Sequence, residues 1–164
     1  MKALRPLLYV LLALPSVGPA GTPPDDEPRI VTASSFLSAR DNWEQNDYQD
    51  YRYTLEQECY CPQPKRTRVT VRAGRVTGVT DLGTGRPLSA AEAAGYPTVS
   101  GLFRLIDRSV GKRPDSMTIV YHRSLGYPER IRIDFSYRVA DDELDYRLSG
   151  MEILDPRAPA PAPD

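Results

Sequence analysis

The only two cysteines of the chain lie two residues apart, in Cys59-Tyr60-Cys61, and they are the side chains best suited to redox or metal chemistry. On a flat strand, residues at this spacing have Cα atoms about 6.6 Å apart, whereas a disulfide needs Cβ atoms about 3.8 Å apart. Closure therefore requires a bend at Tyr60, and Pro62 and Pro64 favour the end of a strand at this point. We expect a disulfide between Cys59 and Cys61.

A disulfide that closes so small a ring stabilises the fold only slightly, since the loop-entropy relation gives ~1.6 kcal/mol before strain is subtracted. We therefore expect it to fix the end of a strand. Two alternatives remain for the pair. A strained, reducible bond is suited to thiol exchange, and Cys59, Cys61 and His122 are suitable ligands for zinc or copper. The metal site requires His122 to lie beside the pair, which no sequence pattern predicts, so we predict neither a metal nor another cofactor.

The one histidine, His122, is also a candidate general base, but no Ser or Cys motif accompanies it and the sequence has no G-x-S-x-G. Its alternation with Thr118 and Val120 predicts a place on a strand. The acidic run 141–143 lacks the spacing of an EF-hand and is typical of a solvated turn. Because no nucleophile, base and orienting group can be assembled, we predict no catalytic residue and favour a protein that is not an enzyme.

Basic residues concentrate over 65–75, where the sequence predicts a hairpin. Arg66, Arg68 and Arg72 share one face of its first strand, opposite Val69 and Val71. This stripe is a candidate binding site for an acidic partner or a phosphate-bearing surface. The alternative is a solvated face whose charges protect an edge strand. Tyrosines at alternating strand positions also have two interpretations, because most belong to cores whereas an exposed set marks a binding surface.

Composition excludes several classes of protein. The 164 residues suit one domain, and 21 Lys and Arg against 22 Asp and Glu give a net charge of −1. That balance argues against nucleic-acid binding, which needs a strongly basic face. One histidine and two cysteines exclude a multi-histidine metal cage and a disulfide-rich scaffold.

The two ends of the chain have compositions unlike its middle. Residues 1–20 have a positive start, a short apolar run and small residues before residue 21, which is typical of a secretory signal peptide. Residues 21–29 form a polar, flexible lead-in, and 156–164 form a Pro/Ala tail that we expect to be disordered. A single domain over 30–155 remains. We expect export to a periplasmic or extracellular location, with no transmembrane segment after processing.

Hydrophobic periodicity predicts helices near 33–46 and over 99–110. Alternation predicts six strands, near 51–56, 68–72, 75–80, 117–122, 130–135 and 144–153. The inward positions of the last strand change from even to odd numbers, so we expect either a β-bulge at Gly150 or an end of the strand at Ser149. The order α-βββ-α-βββ predicts an α+β fold, with an antiparallel sheet of about six strands and two main helices packed on one face. Because a helix and three strands occur twice, an internal duplication is a further hypothesis.

Four blocks of sequence, in this order, resemble a known family. They are Tyr51-Arg52-Tyr53 leading to Cys59-Tyr60-Cys61-Pro62; Val69 to Val76; Tyr96-Pro97-Thr98 before Leu102 to Ile106; and Val120-Tyr121 before Gly126 to Asp134 and Ala140 to Leu144. Together they are similar to the exported bacterial proteins grouped as domain of unknown function 6174, over most of 43–153. His122 departs from the pattern, in which an acidic residue is expected after the Tyr. The resemblance implies export and a single domain, and it implies no activity.

These observations predict an exported binding or interaction module that is not an enzyme and that uses its sheet face. Its partner is unidentified, and an exported protein or an acidic surface is the expected class. The alternative is a thiol-redox or metal-handling protein built on Cys59 and Cys61.

Overall fold

The computed structural model describes residues 33–58 and 63–156, and this part of the chain holds six strands and three helices. The elements are α1 (Ala33–Gln45), β1 (Tyr51–Glu58), β2 (Arg66–Arg72), β3 (Arg75–Asp81), the one-turn α2 (Ala90–Ala93), α3 (Val99–Gly111), β4 (Ser116–Tyr121), β5 (Pro128–Asp134) and β6 (Leu144–Ile153). The predicted α+β class is confirmed. The predicted signal peptide, the predicted lead-in, the predicted tail from residue 157 onward and the Cys59/Cys61 pair lie outside the described residues.

All six strands form one antiparallel sheet in the order β3-β2-β1-β6-β5-β4. Each set of three consecutive strands is a meander, and the first and last strands meet in the centre of the sheet. Local turns predict the pairing within a meander, whereas the β1–β6 pairing joins residues about a hundred positions apart. Within the described ranges, no helix has both the length and the apolarity needed to cross a membrane.

One face of the sheet carries the core. Along β1 the side chains of Tyr51, Tyr53 and Leu55 are buried and alternate with half-buried polar ones. Helix α3 covers them with an apolar stripe at helical spacing, in which the buried residues include Val99, Leu102, Phe103 and Ile106. Helix α1 joins the same core through Ala39 and Trp43. Both main helices therefore lie on one face, and no helix within residues 33–58 and 63–156 covers the other face.

A β-bulge at Gly150 confirms one of the two expectations for the last strand. Arg52 pairs with Glu152 and Thr54 pairs with Ser149, so Tyr53 faces both Gly150 and Met151. Gly150 adopts a φ of +58°, which side-chain-bearing residues rarely tolerate. The extra residue allows β6 to place even-numbered side chains inward before the bulge and odd-numbered ones after it.

The topology argues against the internal duplication. If the chain contained a repeat, β1, β2 and β3 would superpose on β4, β5 and β6. This superposition keeps the left-to-right order of the strands in the sheet but reverses the direction of each strand. Only a rotation that also turns the sheet over achieves this, and such a rotation would put α1 and α3 on opposite faces. Both helices pack into the same core instead. The repeated helix-and-three-strands order therefore does not reflect a structural repeat.

Candidate functional site

The face of the sheet without helices, called the open face below, is densely charged. On β1, β2 and β6 it consists of the side chains that alternate with the buried ones, and on β5 of those flanking Ile131. On these four strands its cations are Arg52, Arg66, Arg68, Arg72, Arg130, Arg132 and Arg147, and its anions are Glu56, Glu58, Asp134, Asp145 and Glu152. The open face thus carries more positive than negative charge, although the whole chain has a net charge of −1.

Four of these arginines form ion pairs across neighbouring strands. The Arg66 Nε lies 3.2 Å from the Glu56 Oε1, and the Arg52 Nε lies 2.7 Å from the Glu152 Oε2. Asp145 accepts two cations, with its Oδ2 at 3.1 Å from Arg130 and 3.8 Å from Arg132. Exposed pairs of this kind contribute about 0–1 kcal/mol each, so they order the side chains more than they stabilise the fold.

The side chains of Arg68 and Arg147 form no hydrogen bond or ion pair with any described residue. Arg147 lies directly opposite Arg130 in the β5–β6 register and directly opposite Glu56 in the β1–β6 register. Like charges in directly opposed strand positions destabilise a sheet, and opposite charges stabilise it. The two effects on Arg147 therefore partly cancel, and the open face holds two arginine side chains that form no ion pair with a described residue.

The structure separates the three arginines of the predicted stripe. All three lie on the same face of β2, as the alternation with Val69 and Val71 predicts. The Arg72 side chain is only 16% exposed, pairs with Asp50 at 3.5 Å and donates to the Asp155 carbonyl at 2.9 Å. It therefore links the start of β1 to the chain after β6. Arg66 is paired with Glu56, and Arg68 alone is unpaired.

Beside Arg68 the open face has a small cavity of about 170 Å³. Arg52, Thr54, Arg68, Gly150 and Glu152 contribute to its lining. Gly150 borders the cavity without a side chain, and a Cβ at that position would lie 3.9 Å from the Thr54 Oγ1. We define this cavity as the bulge cavity. Sequence analysis missed it, since the shift of inward positions predicts a bulge but not which strand lies beside it.

Tyrosines do not form the open face. The Tyr51 hydroxyl accepts a hydrogen bond from the Val99 N–H at 2.9 Å, and the Tyr53 hydroxyl donates to the Pro97 carbonyl. Desolvation raises the pKa of Tyr51 to about 12 and that of Tyr53 well above its ordinary value, so both hydroxyls stay protonated. These two side chains hold the start of α3 against β1, which is the core interpretation of the alternating tyrosines.

His122 closes the turn between β4 and β5. Its Nδ1 accepts hydrogen bonds from the N–H groups of Leu125, at 3.1 Å, and Ser124, at 3.3 Å. The ring is stacked on Tyr127, with centroids 4.9 Å apart. A cavity of about 600 Å³ between α1 and β4 borders this turn, and His122 contributes to its lining. With Nδ1 acting as an acceptor, the neutral ring carries its proton on Nε2.

The Cys59/Cys61 pair lies outside the described residues, so the metal site that it would share with His122 stays a hypothesis. Glu58, the residue before Cys59, pairs with Asp145 in a row that continues through Arg132 to Thr118 on β4. His122 lies four residues after Thr118, so strand geometry separates it from Glu58 by about 20 Å. Within residues 33–58 and 63–156, no group of three or more His, Cys, Asp or Glu side chains has a metal-binding arrangement.

The acidic run 141–143 lies in the loop between β5 and β6, near the end of β5. Desolvation raises the pKa of Asp134 there, and the negative charges of Asp142, Glu143 and Asp115 raise it further. Among the described residues, the Oδ1 atoms of Asp134 and Asp142 are buried and have no hydrogen-bond partner. The interpretation of the run as a solvated turn stays a prediction.

Comparisons with known proteins identify a family but no individual relative. Neither the curated proteins nor the solved structures contain a significant match to the chain. The model of a family of unknown function, DUF6174, matches residues 35–153, which include all six strands, the whole of α3 and all but the first two residues of α1. The match confirms the resemblance stated from the four sequence blocks. The chain belongs to the family of unknown function DUF6174.

Proposed function

We propose that this protein is an exported binding module that recognises an acidic segment of a partner protein through its open face. One observation carries the proposal: the open face holds seven arginines, and the side chains of two of them, Arg68 and Arg147, form no ion pair or hydrogen bond with a described residue. Unpaired surface cations create a local positive potential that attracts and orients an anionic partner.

The arrangement of charge favours an acidic protein over a nucleic acid. Glu56, Asp145 and Glu152 stand between the arginines, and these carboxylates would repel a uniformly charged phosphate backbone. An acidic protein segment has its carboxylates spaced by neutral groups, and each can bind one guanidinium in a bidentate geometry. The face is also about 24 Å wide across six strands, which suits an extended macromolecular segment better than a small molecule.

Arg147 provides a test that separates binding from stability. Its replacement by Thr removes the like-charge contact with Arg130 and the opposite-charge contact with Glu56, and it introduces a residue that favours strands. We expect R147T to be about as stable as the natural protein and to bind an acidic partner less tightly. A loss of binding in R147T at unchanged stability cannot be explained by unfolding.

The experiment measures the fluorescence anisotropy of a labelled peptide of alternating Glu and Ser residues. We expect the double variant R68S/R147T to bind it about tenfold more weakly, which corresponds to about 1.4 kcal/mol. The matched control is R104S/R108S, which removes two exposed arginines from α3 on the other side of the sheet. Equal weakening in both double variants, or no binding by the natural protein, would contradict the proposal.

Export is part of the same proposal and is supported by the composition of residues 1–20. The mature protein is expected to begin at Gly21. Mass spectrometry of the protein from its native compartment measures this directly. A cytosolic product that retains Met1 would overturn the assignment.

The alternative function, thiol exchange or metal handling, is supported by the spacing of Cys59 and Cys61 directly after the last residue of β1. Thiol titration together with metal analysis of the purified protein separates the two functions. Two reactive thiols with stoichiometric metal favour the alternative. A pair that does not react, with a mass lower by two hydrogens than the reduced chain, indicates a structural disulfide.

A further inference from the structure

Resting on the proposed function, we propose that the bulge cavity is the subsite that anchors one carboxylate of the acidic partner. The carboxylate would lie between the guanidinium groups of Arg68 and Arg52, over the Thr54 hydroxyl and the backbone of Gly150. The partner therefore presents a Glu or Asp side chain at this position.

The shape of the bulge cavity fits the end of an acidic side chain. Its volume of about 170 Å³ corresponds to the liquid volume of about six water molecules. Gly150 leaves this space open, and its φ of +58° makes the position unfavourable for residues that would fill it. Bulges are common beside functional sites, where they change the direction of a strand and of its side chains.

The polar groups that line the cavity leave one positive charge uncompensated. Arg52 is paired through its Nε with Glu152, at 2.7 Å, and its terminal nitrogens have no partner among the described residues. Arg68 has no partner among them either, and neither has the hydroxyl of Thr54. Two cations and one carboxylate thus line the cavity, so one further carboxylate completes the charge balance and receives charge-assisted hydrogen bonds.

Arg66 provides a matched control for Arg68. Both residues lie on β2, face the same side of the sheet and are exposed, two positions apart. Arg66 is paired with Glu56 and does not line the bulge cavity. Replacement of either residue removes the same charge from the same strand of the open face. A difference in acetate affinity between R66S and R68S therefore measures the contribution of the bulge cavity.

The test is an NMR titration of the full-length protein with sodium acetate, with sodium chloride at equal ionic strength as the reference. We expect the amide signals of Gly150 and Thr54 to shift in a saturable way at millimolar acetate. R68S should weaken the acetate affinity at least tenfold, and T54V should weaken it severalfold. R66S should leave the affinity within twofold of that of the natural protein, and the amide spectra show whether each variant is folded.

The outcomes separate this inference from the proposed function. If acetate saturates at Gly150 but the Glu/Ser peptide does not bind, the subsite stands and the acidic partner is wrong. In the opposite case the peptide binds, acetate shows no saturable binding, and R66S and R68S reduce the affinity for the peptide equally. The open face is then the binding surface, and the proposed carboxylate subsite is wrong. A parallel titration with sodium phosphate tests whether the subsite prefers a carboxylate. Phosphate binding tenfold tighter than acetate would overturn the assignment to a carboxylate.

Discussion

His122 is the only histidine of the chain, and the backbone uses the ring nitrogen that a metal or a proton would otherwise occupy. Its Nδ1 accepts from two N–H groups of the β4–β5 turn. We predict that H122A lowers the free energy of unfolding by about 1 kcal/mol, because both donors then lose their acceptor. Urea unfolding followed by circular dichroism measures the change.

The control for this prediction is H122N, because the Asn Oδ1 can accept the same two hydrogen bonds in nearly the same position. We expect H122N to recover most of the lost stability. If H122A unfolds at the same urea concentration as the natural protein, the turn does not depend on Nδ1. In that case a role for His122 in the cavity beside α1 becomes the better interpretation.

The arginines of the open face show how far residue patterns predict a site. Alternation with apolar residues predicts which side chains share a face, and it places Arg66 and Arg68 together. It does not predict that Arg72 is held by Asp50, or that Arg147 lies opposite Arg130. Both contacts depend on the register in which sequential strands pair, and alternation alone does not determine that register.

The packing of α1 onto the β4–β5 turn depends on Gly126. This glycine has a φ of +81°, and a Cβ there would lie 2.3 Å from the Ala39 carbonyl oxygen of α1. The G126A substitution therefore adds backbone strain and forces the helix away from the turn. We predict a loss of about 3 kcal/mol or more in the free energy of unfolding, measured by chemical denaturation.

A substitution at Gly85 separates the backbone strain at Gly126 from the steric contact with α1. Its φ of +73° is similar, but a Cβ there would meet nothing within 4 Å. We expect G85A to cost about 1 kcal/mol, from the left-handed backbone alone. The difference between G126A and G85A measures the contact with α1. Equal losses in the two variants would show that α1 tolerates displacement.

At the level of elements, the sequence predicts what local periodicity determines. The stripe over α3 and the alternation along β1 and β5 reflect burial on one face, so they identify these elements directly. The shift around Gly150 predicts the bulge because a strand cannot change its inward set without an extra residue. Strand order is different, since nothing in β1 or β6 alone shows that the two pair with each other.

The whole molecule has one core shared by its two meanders. β1 and β6 pair in the centre of the sheet, and the start of α3 is held by hydrogen bonds to Tyr51 and Tyr53 of the first meander. Helix α3 also lies against β5 of the second meander. Neither meander buries its apolar face without the other, so we expect the described domain to fold and unfold as one unit.

Trp43 allows that cooperativity to be measured at the junction of the two halves, because it is the only tryptophan of the chain and is 2% exposed. Its ring contacts Tyr51 of β1, with centroids 5.1 Å apart at right angles, and Tyr127 beside β5, at 6.3 Å. Separating α1 from the sheet would expose this ring, which costs about 2–3 kcal/mol of burial. We therefore predict that urea unfolding followed by Trp43 fluorescence and by far-ultraviolet circular dichroism gives the same midpoint. A fluorescence midpoint at a lower urea concentration would mean that α1 detaches first and that the shared core consists of the sheet and α3 alone.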